Sequence, residues 1–322
     1  MKTYPLNSGD TMPAIGLGTW QSPSNDIKTA IEAALQCGYR HIDCAMIYQN
    51  EADIGNCLST ALKNAKISRE DVWITSKLWN SYHHPDHVEK AVKKTLQDLQ
   101  LDYLDLYLMH WPVAFQESVG LGESKAISDF VSLQDIPLID TWQAMEQLVD
   151  KGLARNIGVS NFTETKLKSI TEQASIQPAV NQVENHPYLS QPKLVEFCQQ
   201  QAINVTAYSP LGRGNMPERF ENADQPLEIP LKNEVIVSIA EHHQATSAQI
   251  LIAWQLHRGL SCIPKSVTPT RIKQNLMAQD LKLTAEDMKA IEQLNLDYRL
   301  INPQSWTWTQ AGSPYDADTF WL

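Results

Sequence analysis

DLYLMHWP (105–112) is an apolar run of strand length that ends on His110 and stops at a proline. A run apolar on both faces suits a parallel strand covered on each side by helices. Its polar residue falls where the strand gives way to a loop. The same layout recurs along the chain. HIDCAMIYQNE (41–51) offers Asp43 and Tyr48, and VWITSK (72–77) ends on Lys77. VTAYSPLG (205–212) breaks into a Gly/Pro turn, and IPKSVTPTRIKQN (263–275) runs into a basic helix.

Between these runs the apolar period changes to that of a helix. Helical stretches are expected at 25–37, 51–64, 84–99, 138–151, 163–174, 191–201 and 247–258, with a last one over 271–276. They separate apolar runs at 40–43, 72–76, 104–109, 156–160, 179–183, 204–208 and 260–263. Gly38, Gly152 and Gly259 each sit just past a helical stretch, where a C-terminal cap needs glycine. Strand–helix alternation implies parallel strands joined by crossover helices. Eight such pairs predict an α/β fold, the (β/α)8 barrel, as one domain over 1–322. A hairpin over 3–14, turning at Asn7, Ser8, Gly9 and Asp10, leads into a first strand near 15–17. Helices at 233–243 and 284–294 lie outside the eight pairs. The stretches 112–137, 210–230 and the tail 297–322 read as loops, and long loops at one barrel end usually carry function.

Composition narrows the partners. The net charge of −11 and pI of about 5.3 argue against nucleic acid and anionic membranes. Against that background Lys265, Arg271 and Lys273 form a local basic cluster suited to a specific anion. The five cysteines have no CxxC spacing and no histidine companions, so no metal site is expected and the thiols read as reduced. No secretion signal or membrane-length apolar run is present. The expectation is a soluble cytoplasmic protein, a monomer with a dimer left open.

In a barrel the C-terminal strand ends meet on one face, so Asp43, Tyr48, Lys77 and His110 are expected to converge. A tyrosine titrates near ~10, and an adjacent ammonium lowers that by ~1–3 units. Tyr48 then becomes a proton donor, Asp43 holds Lys77 by an ion pair, and His110 hydrogen-bonds a developing oxyanion. Taken singly, each residue is more often a rim residue, a surface salt bridge or a satisfied core histidine. All four at successive strand ends are much harder to dismiss.

These strings also bring a resemblance. Gly16 to Trp20 (GLGTW), IDCAMIYQNE, TSKLW, DLYLMHWP, IGVSNF, QVENHPYL, AYSPLG and IPKSVTPTRIKQN are similar, in this order, to the motifs of the aldo-keto reductases. The chain is identified as a member of that family along nearly its whole length. The resemblance implies Tyr48 as proton donor, Asp43 and Lys77 as its supporting pair, and His110 as the histidine that orients substrate. It also implies an extended NADP(H), preferred over NAD(H), across the barrel mouth. No GxGxxG follows a strand, so a Rossmann domain is not expected.

In the implied cofactor site Tyr208 stacks on the nicotinamide, and Ser160, Asn161 and Gln182 bind its carboxamide. Thr19, Trp20 and Asp43 contact the same region. Ser209, Pro210, Leu211 and Gly212 cover the pyrophosphate, with the loop 213–230 as a clasp. Lys265, Ser266 and Arg271 grip the 2′-phosphate, while Asn275 meets the adenine. Two departures stand out: Gln274 replaces the family's usual Glu, and 213–230 matches weakly. Trp20, Trp79 and Trp111, joined by Tyr48, His110 and Phe115, are expected to wall an apolar pocket for a small carbonyl substrate. Trp306, Trp308 and Trp321 lie in the tail 297–322, the part least like the family, which the resemblance implies folds over the barrel mouth.

The leading reading is an NADPH-dependent aldehyde or aldose reductase. One alternative is a non-catalytic relative that binds NADP(H) in a regulatory or structural role. Another is a barrel using Lys77 as a Schiff-base nucleophile, which Asp43 beside it disfavours.

Overall fold

The computed structural model describes residues 1–122, 124, 126–213, 228–301, 313–315 and 320–321. Eight strands form one parallel sheet: β3 (Leu17–Gly18), β4 (His41–Asp43), β5 (Trp73–Leu78), β6 (Leu104–Met109), β9 (Ala154–Ser160), β10 (Val180–Glu184), β11 (Asn204–Tyr208) and β12 (Ser261–Cys262). Each pairs with its neighbours in that order. Parallel bridges Ile15 to Cys262 and Gly18 to Lys265 join the first strand to the last, so the sheet closes on itself. The seam explains the glycine-rich GLGTW. A Cβ on Gly18 would lie 2.7 Å from the Ile263 carbonyl oxygen, and one on Gly16 would lie 2.7 Å from His41 Nδ1.

Helices cover the outside because their crossovers must return to the same end of the sheet. Those following β3 to β6 span Ser24–Cys37, Glu51–Ala65, Pro85–Leu99 and Leu138–Asp150. Those following the later strands span Glu164–Thr171, Pro192–Gln200, Ser247–His257 and Pro269–Met277. Gly38 takes φ 114° to cap the first helix, as its sequence position requires. The two additional helices are Glu234–His242 and Ala285–Glu292, and the second starts with a capping box from Thr284 to Asp287. The N-terminal hairpin pairs β1 (Thr3–Pro5) with β2 (Thr11–Pro13). It sends Leu6 and Met12 against Trp73, Leu106, Leu108, Ala179 and Val180, plugging the end of the barrel opposite the chemistry.

The stretch 112–137 is more ordered than its loop-like sequence suggests. β7 (Ala114–Phe115) and β8 (Phe130–Val131) form an antiparallel ribbon with Phe115 opposite Phe130. Strands of two residues lie below what alternation can reveal. All five cysteines are free thiols.

One buried acid has a stability consequence. Glu51, at the start of its helix, is 3% exposed and accepts hydrogen bonds from Ser76 Oγ (2.5 Å) and Thr95 Oγ1 (3.0 Å). Burial pushes its carboxyl up to about 7 against the pull of those two hydroxyls. The folded state thus holds this proton more tightly than the unfolded chain. The contribution is full below pH ~4.3, falls as pH rises, and is lost above about 7, costing on the order of 3–4 kcal/mol. Relative to wild type, Glu51→Gln is expected to gain stability progressively between pH 5 and 8 in urea titrations. A difference that does not change with pH would place the carboxyl in an ordinary environment.

Candidate active site

The site is built on Lys77, which points from the end of β5 and is fully buried. Its Nζ donates to Asp43 Oδ1 at 2.5 Å, to the Cys44 carbonyl at 2.8 Å and to the Tyr48 hydroxyl at 3.3 Å. Three N–H groups meet three oxygens, so the ammonium is fully used. Burial alone would push the lysine down. The Asp43 carboxylate and then Tyr48 outweigh it and raise its pKa above the ordinary value, so Lys77 stays charged. That arrangement disfavours a neutral nucleophilic lysine. Asp43 is held from its other side as well, where Gln182 Nε2 donates to Oδ2 at 2.7 Å. Thr19 Oγ1 donates to the Asp43 carbonyl at 2.7 Å, tying β3 to β4 at the mouth.

Tyr48 ends a short 3-10 turn, Met46–Tyr48, and is half-buried. The lowered phenol pKa expected from Lys77 is not what results. Burial pushes the Tyr48 phenol above its ordinary value, the Lys77 ammonium pulls it down, and Asp43 adds to the rise. The net direction is upward because desolvation penalises phenolate more than one partly neutralised ammonium favours it. Tyr48 therefore carries its proton at neutral pH.

His110 follows β6 and is 8% exposed. Burial, with Lys77 and His83 adding to it, drives its pKa well below the usual histidine value, so the ring is neutral. Its ring centroid lies 6.0 Å from that of Tyr48 and 5.4 Å from that of Trp79.

The polar residues at the ends of β9 to β11 bind one another. Ser160 Oγ donates to the Gln182 carbonyl (2.8 Å), Asn161 Nδ2 to the His110 carbonyl (2.9 Å) and Tyr208 OH to Asn161 Oδ1 (2.7 Å). Asn161 (φ 66°) and Ser209 (φ 47°) take left-handed backbone, a strained choice that clusters at functional sites. Gly212 N–H closes a turn on the Ser209 carbonyl at 2.9 Å around Pro210 and Leu211. Residues 214–227 of the expected clasp lie outside the described residues.

Lys265 and Arg271 are exposed, and neither forms an ion pair among the described residues. Both stand beside the uncapped start of the helix Pro269–Met277, with Ser266 nearly buried and Asn275 4% exposed. Unpaired cations beside free helix N–H groups suit a phosphate.

The aromatic wall is larger than the sequence suggested. Trp20 lies 4.9 Å from Tyr48, and Trp79 lies 6.0 Å from Phe115. The ribbon adds Phe130, 5.4 Å from Phe115, and the tail adds Tyr315, 6.0 Å from Phe130. Trp111 packs 6.4 Å from Phe320 and 6.2 Å from Trp321. Phe130, Tyr315 and Phe320 were not foreseen, since an isolated aromatic in a loop or tail carries no periodic signal. Trp306 and Trp308 lie outside the described residues.

Eight closed strands and this set of strand-end side chains define a barrel reductase. Residues 14–296 match the Aldo/keto reductase family, and the chain belongs to it. It is 49% identical to an aldo/keto reductase of Synechocystis sp., covering 100% of this chain and 96% of that one. It is 47% identical to aldo-keto reductase family 1 member A1-A of Danio rerio, over 94% and 92% of the two chains. The aldose reductase of Schistosoma japonicum superposes with a TM-score of 0.87 at 39% identity, covering 97% of this chain and 98% of that one. The protein is accordingly a nicotinamide-dependent oxidoreductase that acts on carbonyl compounds. No described helix is long and apolar enough to cross a membrane.

Proposed function

We propose that the protein reduces aldehydes and aldoses to alcohols with NADPH, and that Tyr48 supplies the proton. The observation that carries this reading is the contact of Lys77 Nζ with both Asp43 Oδ1 and the Tyr48 hydroxyl, at 2.5 and 3.3 Å. A bound reduced nicotinamide supplies the hydride, chemistry no side chain can provide. The residues present fit such a group: a tyrosine at the end of β11, a tight turn after it and unpaired cations at a helix start.

The protein's own part is acid catalysis and positioning. A carbonyl oxygen held between the Tyr48 hydroxyl and the neutral His110 ring meets two hydrogen-bond donors as it gains charge. Tyr48 gives up its proton, and the Lys77 ammonium at 3.3 Å stabilises the phenolate left behind. Asp43 keeps that ammonium in place. The aromatic wall of Trp20, Trp79 and Trp111 excludes water and receives the apolar body of the substrate. Assaying a panel of aldehydes and aldoses with NADPH and with NADH tests the reading. Turnover of none of them would sink it.

The preference for NADPH rests on Lys265, Ser266 and Arg271. Losing one charge-assisted phosphate contact costs ~1.5–3 kcal/mol, or roughly tenfold to a hundredfold in affinity. Arg271→Ala is expected to weaken NADPH binding by that factor and to leave NADH binding unchanged, read by fluorescence titration. Equal loss for both cofactors would make Arg271 structural.

A further inference from the structure

Glu184, the last residue of β10, takes no part in the chemistry above, yet its side chain is wholly buried at the barrel mouth. Its Oε1 accepts the Leu300 N–H at 2.7 Å and its Oε2 accepts the Ile301 N–H at 3.1 Å. His186 Nε2 lies 2.8 Å from Oε1. Two successive backbone amides therefore converge on one carboxyl group. The contact is made where the last described stretch of helix and turn passes into the C-terminal tail.

The neighbouring turn receives the same segment. The Tyr188 carbonyl accepts Leu296 N–H at 3.1 Å and Tyr298 N–H at 2.9 Å, and Arg299 Nη2 donates to Gln191 Oε1 at 3.0 Å. Arg299 in turn stands 3.8 Å from the centre of the Trp321 ring, which packs against Trp111 of the pocket wall. Further along, the Tyr315 hydroxyl accepts Ala114 N–H and donates to the Val131 carbonyl, both at 2.7 Å. The described parts of the tail thus touch the pocket only after its base has been fixed at Glu184.

We propose that Glu184 is a positioning residue that sets where the C-terminal tail closes the pocket, making it specificity-determining for carbonyl substrates with a bulky aromatic body. The proposal rests on the carbonyl-reductase reading for what enters the pocket, but not for the tether itself. The physical reason for a carboxyl group is its capacity. Its two oxygens give each of the two adjacent N–H groups an acceptor of its own, and an N–H left without one would carry a desolvation cost. Because the donors are main-chain groups, the tether works whatever side chains the tail presents.

Glu184→Gln tests this, since one carboxyl oxygen becomes an NH2 that faces a donor. The full-length variant with NADPH is compared with wild type in amide hydrogen exchange and in steady-state kinetics. Exchange at Leu300 and Ile301 is expected to rise about tenfold or more. KM for 4-nitrobenzaldehyde is expected to rise roughly tenfold and KM for glyceraldehyde by no more than about twofold, with kcat for both nearly unchanged. Unaltered exchange would overturn the tether. Equal KM increases for both aldehydes, or a fall in kcat at constant KM, would overturn the specificity role. If Glu184→Gln does not fold, Ile301→Pro removes one of the two donors and is expected to act in the same direction by about half on a logarithmic scale. A wild type that reduces neither aldehyde would defeat the reductase reading, while the exchange measurement still decides the tether by itself.

Discussion

Replacing Tyr48 by Phe is expected to lower turnover of any aldehyde substrate by ~10²–10⁴-fold, the usual contribution of a positioned general acid. The substitution keeps the ring, and with it the 4.9 Å packing against Trp20 and the 5.0 Å approach of Lys77 Nζ to the ring centre. Only the hydroxyl 3.3 Å from Lys77 is removed. NADPH affinity should change little, because the proposed phosphate contacts are made by other side chains, those of Lys265, Ser266 and Arg271. Binding by fluorescence titration and turnover by NADPH absorbance separate the two effects. A variant retaining substantial reductase activity would move the proton-donating role to His110. The neutral His110 ring makes that a real alternative, since it too carries an N–H to donate.

The barrel was legible in the sequence because its strands are buried on both faces. β6 reads as an apolar run broken only by Asp105, β5 opens on Trp73 and Ile74, and both are buried along their whole length, as a parallel strand covered on each side must be. Even so, the glycine-to-cap positions and the helix Ser247–His257 needed no more than local chemistry, since Thr246 and Gln249 form a complete capping box. The ribbon β7–β8 escaped because two residues per strand cannot establish a period. At the site, Asp43, Lys77 and His110 were visible as polar residues at the ends of apolar strands. Their bonds were not: that Gln182 commits its amide to Asp43 depends on β10 closing near β4 across the barrel, 139 positions away in sequence. The direction of the Tyr48 shift was also out of reach. Sequence supplies the neighbouring charge, but desolvation depends on how deeply the finished mouth encloses the phenol.

Lys77→Met is expected to fail twice, in turnover and in stability, and the two failures can be pulled apart. Asp43 is 1% exposed, and without Lys77 it keeps Gln182 as a hydrogen-bond donor but loses its cation. Breaking a buried ion pair from one side typically costs ~3–5 kcal/mol, because the remaining charge stays desolvated. Urea denaturation should show that loss. Turnover should fall by at least roughly tenfold to a hundredfold, since the group that lowers the Tyr48 pKa against burial is gone. Adding Asp43→Asn removes the orphaned charge. The double variant is therefore expected to recover most of the stability, because two neutral side chains replace an unpaired carboxylate. It should not recover turnover, because the phenolate left by proton donation still has no ammonium beside it. If the double variant regained both together, Lys77 would matter only for packing and the acid role of Tyr48 would need no cation. A Lys77→Met single variant with wild-type turnover would lead to the same conclusion by a shorter route.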